Sequence, residues 1–456
     1  MQASDPEARS PWSSLDGVAE AELHPPDASA GGPAVRLAAA GSKSVTNRVL
    51  LLAAMAEGTS VVRNVLRSDD TYWCIDALKR LGVPIDVSAD AVRIVGTGGD
   101  WPNRSGTLYA GAAGTVARFL PGVLAASERG EWRLEGSRSL SDRPVGPLVE
   151  ALGRIGADIR CEAEPGRLPL AVSAKGLRGG RVVLSGGLSS QFISGVLMAS
   201  PYAAGPTEIV VPDGIVQHAY VGITVDLMKR FGVTVEHDER YGRLAVKPGR
   251  YAAQDTAVEA DASTACYYLA FAALTGRSVR VDNLPPETRQ PDAGFVRLLE
   301  RMGCAVDETG GGVEVRGPAG GRLRGGFAVS MKEMSDQTMT LAALAPFADG
   351  PIAIGDVAHI RGHECDRIAA TCESLRRLGI DAEERRDGLT IRPGTPKPSG
   401  ALPTYDDHRM AMSLALIGAR VPGVRLLDPG CVSKTNPPFF DELRRLGMGV
   451  RLTPNG

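Results

Sequence analysis

The sequence predicts a mixed α/β protein of two domains, each built from three copies of one α+β unit. Two observations lead to this fold class. The chain has 456 residues, whereas a single hydrophobic core stops growing near about 250 to 300 residues, so two domains are expected. A short pattern then recurs six times along the chain, and six units of similar size divide evenly between two domains.

The recurring pattern is an apolar residue, two mostly charged residues, a second apolar residue and a glycine, followed by a stretch that alternates between apolar and polar residues. A helix with Lys or Arg in its last turn, ended by a glycine in the left-handed conformation, produces such a pattern. The alternating stretch predicts a half-buried strand. The glycines lie 68 to 76 residues apart and are Gly82, Gly156, Gly232, Gly303, Gly379 and Gly447.

Composition and charge exclude several classes of partner. The hydrophobic share of 43% and the charged share of 23% are typical of a globular protein. The formal net charge is −2, from 51 basic and 53 acidic residues, which argues against nucleic acid or an anionic membrane as a partner. The longest apolar stretch, residues 49–56, is far shorter than the roughly 18 residues of a membrane-spanning helix. We therefore expect small-molecule ligands held by local clusters of charge.

The cysteines and the N-terminal sequence indicate the cellular compartment of the protein. The seven cysteines form no CxxC pair and no Cys/His spacing typical of a zinc site. Their scatter, together with an N-terminus that lacks the order of a signal peptide, predicts a reduced, cytoplasmic protein without a metal site. Residues 1–32 are rich in Asp, Pro, Ala and Ser and show no apolar periodicity, so we interpret them as a flexible tail.

Three motifs in the first half of the chain place polar residues at expected helix starts. Lys43, Ser44 and Arg48 lie where a Gly-Ser-Lys-Ser segment enters an apolar run, and the N–H groups and dipole of a helix start favour anions. Gly114 and Arg118 share a second, glycine-rich start. A third start carries groups suited to phosphate or polyol oxygens, namely Ser189, Ser190 and Gln191. Each motif alone is also typical of a simple capped helix.

The second half of the chain is richer in titratable residues at expected helix starts. Asp336 precedes an apolar run, and residues 361–367 combine both signs of charge with an imidazole. These basic residues precede helices rich in Ala, Leu and Met, which favours a convergent anion pocket over a solvated charged face. The residues concerned are His363, Glu364, Arg367, Arg409 and Lys434.

In their order along the chain, the motifs resemble those of the enolpyruvyl transferase family, from about Val35 to the C-terminus. Eight motifs carry the resemblance, among them Gly-Ser-Lys-Ser-x-x-Asn-Arg at residues 41–48, Ala-Gly-Thr-x-x-Arg at 113–118 and Glu-x-Asp-Arg at 364–367. The resemblance implies an enzyme that transfers the enolpyruvyl group of phosphoenolpyruvate to the 5-hydroxyl of shikimate 3-phosphate and releases phosphate. It implies no metal and no organic cofactor.

The same resemblance implies a two-domain inside-out α/β barrel in which each domain has three βαβαββ repeats around a pseudo-threefold axis. One domain is expected to be discontinuous, formed by residues 33–40 and 261–456, and the other to be the inserted segment 41–260. The active site is expected in the cleft between the domains. We also expect a monomer whose partners are its two substrates.

By motif position, the resemblance assigns two sets of substrate-binding residues. Those for shikimate 3-phosphate are Lys43, Ser44, Arg48, Ser189, Ser190, Gln191, Tyr220, Asp336 and His363. Those for phosphoenolpyruvate are Lys43, Gly114, Arg118, Gln191, Arg367, Arg409 and Lys434. Asp336 is implied as the base at the 5-hydroxyl, and Glu364 and Lys43 are the candidates for proton transfer at the methylene carbon, with His363 as a further catalytic residue.

Four positions depart from the family pattern. They are Ala112, Ser139, Gln217 and His363, where many members have Asn, Arg, a hydroxyl residue and Lys, respectively. The charge of a histidine at the last position depends on pH near neutrality. These departures leave open two alternatives: a lyase that acts on shikimate 3-phosphate or a related cyclitol acid without phosphoenolpyruvate, and a binding protein without activity. The retained cations of the phosphoenolpyruvate set favour the transferase.

Overall fold

The computed structural model describes residues 5–27 and 34–455 and divides into two compact units. The C-terminal unit comprises Trp12–Ala40 and Glu259–Gly456, and the N-terminal unit comprises Asp5–Pro11 and Gly41–Val258. Within the described residues the chain passes from one unit to the other after Pro11, Ala40 and Val258. The resemblance implied two such passages, and the additional one arises because Asp5–Pro11 packs on the N-terminal unit.

The strands are short and follow one another along the whole chain. In chain order they are β1 (Val18–His24), β2 (Val35–Leu37), β3 (Glu57–Arg63), β4 (Ile85–Val87), β5 (Ala91–Thr97), β6 (Ser105–Tyr109), β7 (Gly130–Glu135), β8 (Asp158–Cys161), β9 (Leu170–Ala174), β10 (Gly180–Val183), β11 (Thr207–Val210), β12 (Val235–His237), β13 (Arg243–Val246), β14 (Thr256–Ala257), β15 (Ser278–Val281), β16 (Ala305–Asp307), β17 (Val313–Arg316), β18 (Phe327–Ser330), β19 (Ile352–Gly355), β20 (Ala382–Arg385), β21 (Gly388–Ile391), β22 (Ala401–Leu402), β23 (Val424–Leu427) and β24 (Gly449–Pro454).

These strands form six four-stranded sheets with one common pattern, in which a parallel pair is extended by two antiparallel strands. The sheets of the N-terminal unit have the orders β14-β3-β5-β4, β6-β7-β9-β8 and β10-β11-β13-β12. Those of the C-terminal unit have the orders β2-β15-β17-β16, β18-β19-β21-β20 and β22-β23-β1-β24. Each unit is therefore threefold repetitive, and the predicted α/β class with three repeats per unit is confirmed.

The α-helices fall into two alternating kinds. In chain order they are α1 (Lys43–Met55), α2 (Asp69–Arg80), α3 (Gly114–Ala125), α4 (Arg138–Ser141), α5 (Gly146–Arg154), α6 (Ser190–Ala199), α7 (Ala219–Arg230), α8 (Ala262–Thr275), α9 (Phe295–Arg301), α10 (Thr338–Leu344), α11 (Arg367–Arg377), α12 (His408–Ile417) and α13 (Phe439–Arg445). Apart from the single turn α4, each repeat has a first helix that is almost wholly buried and a second helix that is amphipathic. In α8, for example, every residue from Ala262 to Leu274 is buried.

The second helix of each repeat ends as the sequence predicts. These helices are α2, α5, α7, α9, α11 and α13, and each carries Arg or Lys in its last turn. The six repeat glycines that follow all have positive φ, between 76° at Gly379 and 106° at Gly156. A residue with a Cβ atom is strained in that conformation, which explains why the glycine recurs.

The interpretation of residues 1–32 as a flexible tail is wrong for β1. This strand pairs antiparallel with both β23 and β24, between them in the last sheet. Ala21 and Leu23 are fully buried, and Glu20 and Glu22 alternate with them. Alanine is a weak hydrophobic signal, so the alternation of a half-buried strand was overlooked. Residues 1–4 and 28–32 of the expected tail lie outside the described residues.

Two strands explain why the units are discontinuous in sequence. β2 directly precedes α1, yet it pairs in parallel with β15 of the C-terminal unit. β14 directly precedes α8, yet it pairs in parallel with β3 of the N-terminal unit. Each unit thus receives the first strand of one sheet from the segment that leads into the other unit. Within the described ranges, no helix combines the length and apolar character needed to cross a membrane.

Glu442 on α13 is a buried carboxyl group in the C-terminal unit. It accepts hydrogen bonds from the hydroxyl of Tyr268 and from Asn436 Nδ2, the latter at 3.1 Å. Burial raises the pKa of Glu442 to about 7, although the charge of Arg445 opposes the rise. The folded protein therefore binds this proton more tightly than the unfolded chain does, so the resulting stabilisation is present at low pH and is lost as the pH rises toward 7.

We expect Glu442 to make the free energy of unfolding about 2 to 3 kcal/mol larger at pH 5 than at pH 8. Glu442→Gln removes the titrating group and should lose this part of the pH dependence, as measured by urea unfolding at the two pH values. Asp441→Asn changes the exposed neighbour that pairs with Arg444 and should retain the wild-type dependence. An unchanged pH dependence in Glu442→Gln would contradict this role.

Candidate functional site

Several of the sequence motifs lie at the starts of the buried first helices of the repeats. In the N-terminal unit, Lys43 begins α1, Gly114 begins α3 and Ser190 begins α6. In the C-terminal unit, Asp336 lies in the 3-10 turn that leads into α10, and Arg409 lies in the first turn of α12. Backbone N–H groups at such ends are unsatisfied by the helix itself. Other motif residues lie at the starts of second helices, as Arg367 does at α11.

Arg367, the first residue of α11, is the centre of the site in the C-terminal unit. Its guanidinium donates to Asp407 Oδ2 at 2.7 Å through Nε, to Asp336 Oδ1 at 2.8 Å through Nη1 and to Glu364 Oε2 at 2.9 Å through Nη2. The side chain of Arg367 is 1% exposed. Such a planar fork fixes the relative positions of three carboxylates, which a single ammonium group cannot do.

Two further cations complete this cluster. Arg409 Nη2 lies 2.9 Å from Asp336 Oδ2, so Asp336 is held between two guanidinium groups. Lys434 Nζ donates to Glu364 Oε1 at 2.8 Å, so Glu364 bridges Lys434 and Arg367. We call Asp336, Glu364, Arg367, Arg409 and Lys434, with Asp407, the Arg367 cluster. The structure brings together all the residues that the sequence predicted for this unit.

The carboxylates around Arg367 keep its guanidinium charged. Burial alone would lower the pKa of Arg367, but the charges of Asp407, Glu364 and Asp336 together hold it above its usual range. Asp407 has no exposed surface and also caps α12, accepting from the N–H of Arg409 at 2.9 Å. A buried carboxylate of this kind is stable only because it is paired. The cluster therefore presents preorganised charges.

His363 lies against the same guanidinium. Its Nδ1 is 3.0 Å from Arg367 Nη1, and the side chain is 19% exposed. A guanidinium can only donate, so this contact places Nδ1 as the acceptor. His363 thus presents a ring nitrogen to Arg367 at a position where many family members have the ammonium group of a Lys.

Sequence reasoning missed the groups that support this cluster. Asp407 stands two residues before Arg409, and its place before a helix is a sequence signal for a capping carboxylate. Behind Asp336 and Arg409, the buried carboxylate of Asp292 accepts from the Ser263 hydroxyl and from Gln337 Nε2, the latter at 2.9 Å. Asp292 lies far from the motifs in sequence, so only the fold could reveal it.

In the N-terminal unit, the motif at α1 has a buried and an accessible part. Lys43 Nζ lies 3.5 Å from Asp70 Oδ2 at the start of α2. Arg48 is 1% exposed and donates to Thr224 Oγ1 at 2.7 Å and to the carbonyl of Ser44 at 2.8 Å. Burial lowers the pKa of Arg48 to about 10, and the charge of Tyr220 opposes this. Arg48 therefore remains a cation and fixes the backbone at Ser44.

The motif at α3 is joined to the motif at α6. Arg118 Nη1 donates to Gln191 Oε1 at 3.1 Å, and Arg118 Nη2 donates to the carbonyl of Pro144 at 3.3 Å. A Cβ atom at Gly114 would lie 2.6 Å from Arg118 Nη1 and 3.0 Å from Arg143 Nη1. The glycine leaves room for two guanidinium groups to approach its backbone. This places two cations at the start of α3.

The remaining predicted residues of the N-terminal unit lie at the starts of α6 and α7. Ser189 caps α6, its hydroxyl accepting from the N–H of Gln191 at 3.2 Å, and Ser190 is buried. Tyr220 lies in the first turn of α7, and its carbonyl accepts from Arg48 Nη2 at 3.4 Å. Among the described residues, no group of three or more His, Cys, Asp or Glu side chains is arranged to hold a metal ion.

The four departures from the family pattern also lie beside these motifs. Ala112 is buried one residue before the cap of α3. Ser139 lies in the single turn α4, and its backbone N–H is bonded to Asp5 Oδ2 at 2.8 Å. Gln217 has a φ of 52°, which is uncommon for a residue with a side chain. These positions change the surroundings of the predicted ligands without removing any of them.

Comparison with known proteins gives one consistent result. The family model for EPSP synthase (3-phosphoshikimate 1-carboxyvinyltransferase) matches residues 34–443. A protein of Halalkalibacterium halodurans named 3-phosphoshikimate 1-carboxyvinyltransferase 2 is 52% identical over 451 residues, which cover 99% of both chains. The chloroplastic 3-phosphoshikimate 1-carboxyvinyltransferase of Arabidopsis thaliana is 43% identical, over 89% of this chain and 81% of the relative.

Solved structures agree with the sequence comparisons. The crystal structure of EPSP synthase from Acinetobacter baumannii superposes with a TM-score of 0.77 at 25% identity. The match covers 95% of this chain and 100% of that chain. The repeated sheets and helices described above are therefore those of a fold already seen in solved proteins.

Proposed function

Because this chain belongs to the EPSP synthase family, we propose that the motif residues of its two units share the binding of two anionic substrates. The chain catalyses the 3-phosphoshikimate 1-carboxyvinyltransferase reaction. In this reaction the 5-hydroxyl oxygen of shikimate 3-phosphate bonds to C2 of phosphoenolpyruvate while the methylene carbon takes up a proton. The methyl carbon then loses a proton as the bond from C2 to the phosphate oxygen breaks, and phosphate leaves.

We propose that polar groups of the N-terminal unit supply most of the site for shikimate 3-phosphate. A phosphate and a carboxylate need cations and hydroxyl or amide donors, which the starts of α1 and α6 provide. Asp336 and His363 would meet the ring of the substrate. The proposed set is Lys43, Ser44, Arg48, Ser189, Ser190, Gln191, Tyr220, Asp336 and His363.

We propose that phosphoenolpyruvate is held mainly by cations. Phosphoenolpyruvate is a small molecule whose phosphate and carboxylate lie close together, and guanidinium forks bind both groups in bidentate fashion. In the structure the cations of the Arg367 cluster are paired with the carboxylates of the same cluster. When phosphoenolpyruvate binds, its anionic groups replace these carboxylates as partners of the cations. The proposed set is Lys43, Gly114, Arg118, Gln191, Arg367, Arg409 and Lys434.

Proton transfer is assigned to the carboxylates of the Arg367 cluster and to Lys43. Asp336 is the proposed base for the 5-hydroxyl, because its two oxygens each contact a guanidinium group, which orients the carboxyl group. Glu364 is proposed to exchange the proton of the methylene carbon, and Lys434, whose Nζ lies 2.8 Å from Glu364 Oε1, holds its carboxyl group in place. Lys43 is the second candidate for that proton. The observation that carries this assignment is the convergence of three cations and three carboxylates around Arg367.

Purified protein incubated with shikimate 3-phosphate, with and without phosphoenolpyruvate, tests the function. We expect phosphate release only when both substrates are present. Formation of a conjugated diene from shikimate 3-phosphate alone, followed by ultraviolet absorbance, would instead indicate the lyase. Binding of shikimate 3-phosphate without any turnover would indicate a binding protein.

We propose that the enzyme acts in the cytoplasm as a monomer with its two substrates as its partners and with no nucleic acid or membrane partner. The seven cysteines all lie in the described part of the chain and none is in a disulfide, which fits a reducing compartment. The net charge of −2 provides no global field that would attract a polyanion. Sedimentation of the purified protein at several concentrations tests the monomeric state.

A further inference from the structure

Residues Asp5–Pro11, which we call the N-terminal arm, belong to the N-terminal unit although they precede residue 34, where the match to the family model begins. The arm includes one 3-10 turn, Pro6–Ala8. Asp5, Ala8 and Ser10 are each less than 5% exposed. A polar segment is buried to this extent only when its polar groups have partners, and those partners lie beside the predicted ligand motifs.

The middle of the arm is hydrogen-bonded to two aromatic side chains. Tyr109 donates from its hydroxyl to the carbonyl of Glu7 at 3.0 Å, and Trp73 donates from Nε1 to the carbonyl of Ala8 at 3.1 Å. The two rings pack edge to face with centroids 4.9 Å apart. Gly111 has a φ of 52°, and a Cβ atom there would lie 2.2 Å from the Trp73 ring. The arm therefore covers the segment that leads into α3.

The first residue of the arm holds the loop on the other side of the α3 start. Asp5 Oδ2 accepts from the backbone N–H of Ser139 at 2.8 Å. Ser139 lies in α4, and Arg143 and Pro144 follow this turn directly. Arg143 Nη1 lies against Gly114. The carbonyl of Pro144 accepts a hydrogen bond from Arg118 Nη2 at 3.3 Å. The path from Asp5 to the guanidinium of Arg118 thus passes through one short turn and two hydrogen bonds.

The end of the arm holds the carboxylates behind Lys43. Asp69 Oδ1 accepts from the backbone N–H of Ser10 at 3.0 Å and from its hydroxyl at 2.6 Å. Burial raises the pKa of Asp69 to about 6, and the hydrogen bonds from Ser10 oppose that rise. The next residue, Asp70, is 1% exposed and lies 3.5 Å from Lys43 Nζ. Ser10 therefore fixes the start of α2 and, with it, the partner of Lys43.

We propose that the N-terminal arm is a positioning element of the active site: Asp5 orients the loop that holds Arg118, and Ser10 orients the acidic pair that holds Lys43. Neither residue needs to touch a substrate. This inference rests on the proposed roles of Arg118 and Lys43 in binding phosphoenolpyruvate. Because Arg118 is assigned to phosphoenolpyruvate alone and Lys43 to both substrates, the arm is predicted to set the affinity for phosphoenolpyruvate more than the affinity for shikimate 3-phosphate.

The test uses full-length Asp5→Ala/Ser10→Ala and each single variant. Glu7→Ala is the matched control, since it removes an exposed carboxylate from the same arm and leaves the backbone carbonyl that Tyr109 contacts. We expect the double variant to raise the KM for phosphoenolpyruvate about tenfold, to change the KM for shikimate 3-phosphate less than threefold, and to unfold near the wild-type temperature. Asp5→Asn keeps a carbonyl acceptor for Ser139 and should restore near wild-type values relative to Asp5→Ala.

The inference would be overturned if the double variant and Glu7→Ala had the same KM for phosphoenolpyruvate. Equal increases in both KM values, accompanied by a fall in Tm, would also overturn it, since they would show a general structural role. Should the double variant fail to fold, the Asp5→Ala single variant is measured instead, because Asp5 acts through the loop that holds Arg118, which is assigned to phosphoenolpyruvate alone. If wild-type protein shows no turnover with both substrates, the proposed function fails and not the arm's role alone.

Discussion

Arg367→Met is expected to lower the free energy of unfolding by about 3 to 5 kcal/mol and kcat/KM by at least about a thousandfold. The reason is that Asp407, Asp336 and Glu364 all depend on one guanidinium that is 1% exposed. Its removal leaves carboxylates without their main cation and removes a proposed ligand of phosphoenolpyruvate. Urea unfolding and steady-state kinetics measure the two effects separately.

Arg377→Met on the same helix is the control for Arg367→Met. Arg377 is 40% exposed and pairs only at the surface with Glu373, so its removal should cost less than about 1 kcal/mol and leave turnover unchanged. If Arg367→Met does not fold, Arg367→Lys is measured in its place. It keeps a charge but not the fork, so it should be more stable than Arg367→Met while still losing most activity. Wild-type kinetics in a folded Arg367→Lys variant would contradict the role of the fork.

Glu364→Gln is expected to reduce kcat by about a hundredfold to ten-thousandfold while the protein remains folded. Glutamine has the same shape and retains an acceptor for Lys434 or Arg367, but it cannot exchange a proton at the methylene carbon. Turnover in D₂O gives a direct measurement, because reversible protonation of that carbon exchanges its hydrogens with solvent. The variant should therefore incorporate deuterium into phosphoenolpyruvate more slowly, in proportion to its loss of kcat.

The matched control for this variant is Glu373→Gln. Glu373 lies on α11, is 50% exposed and contacts Arg377 and Tyr405, so its replacement should leave kcat and deuterium exchange at wild-type values. Undiminished exchange in Glu364→Gln would assign the methylene proton to Lys43, the second candidate. A Lys43→Met variant would then be expected to lose exchange.

Much of the candidate site could be predicted because its residues are held by local chemistry. Lys43, Gly114, Ser190, Asp336 and Arg409 all stand at or near helix starts, where short-range sequence patterns are informative. The roles of Asp292 and Asp407 could not be predicted in the same way, because they depend on contacts with residues 29 to 45 positions away. The structural role of a buried carboxylate depends on the groups that the fold places beside it, and the local sequence does not reveal these groups.

The sequence by itself determined the six repeats, since a basic last turn and a glycine of positive φ are properties of a few neighbouring residues. It also determined the family, which depends on ordered motifs. Only the tertiary structure decided that β1 is part of a sheet and that Asp5 and Ser10 lie beside the ligand motifs. The physical reason is that strand pairing and buried hydrogen bonds join residues distant in sequence. The register of β1 against β23 and β24 brings together residues some 400 positions apart, and no local pattern encodes such a pairing.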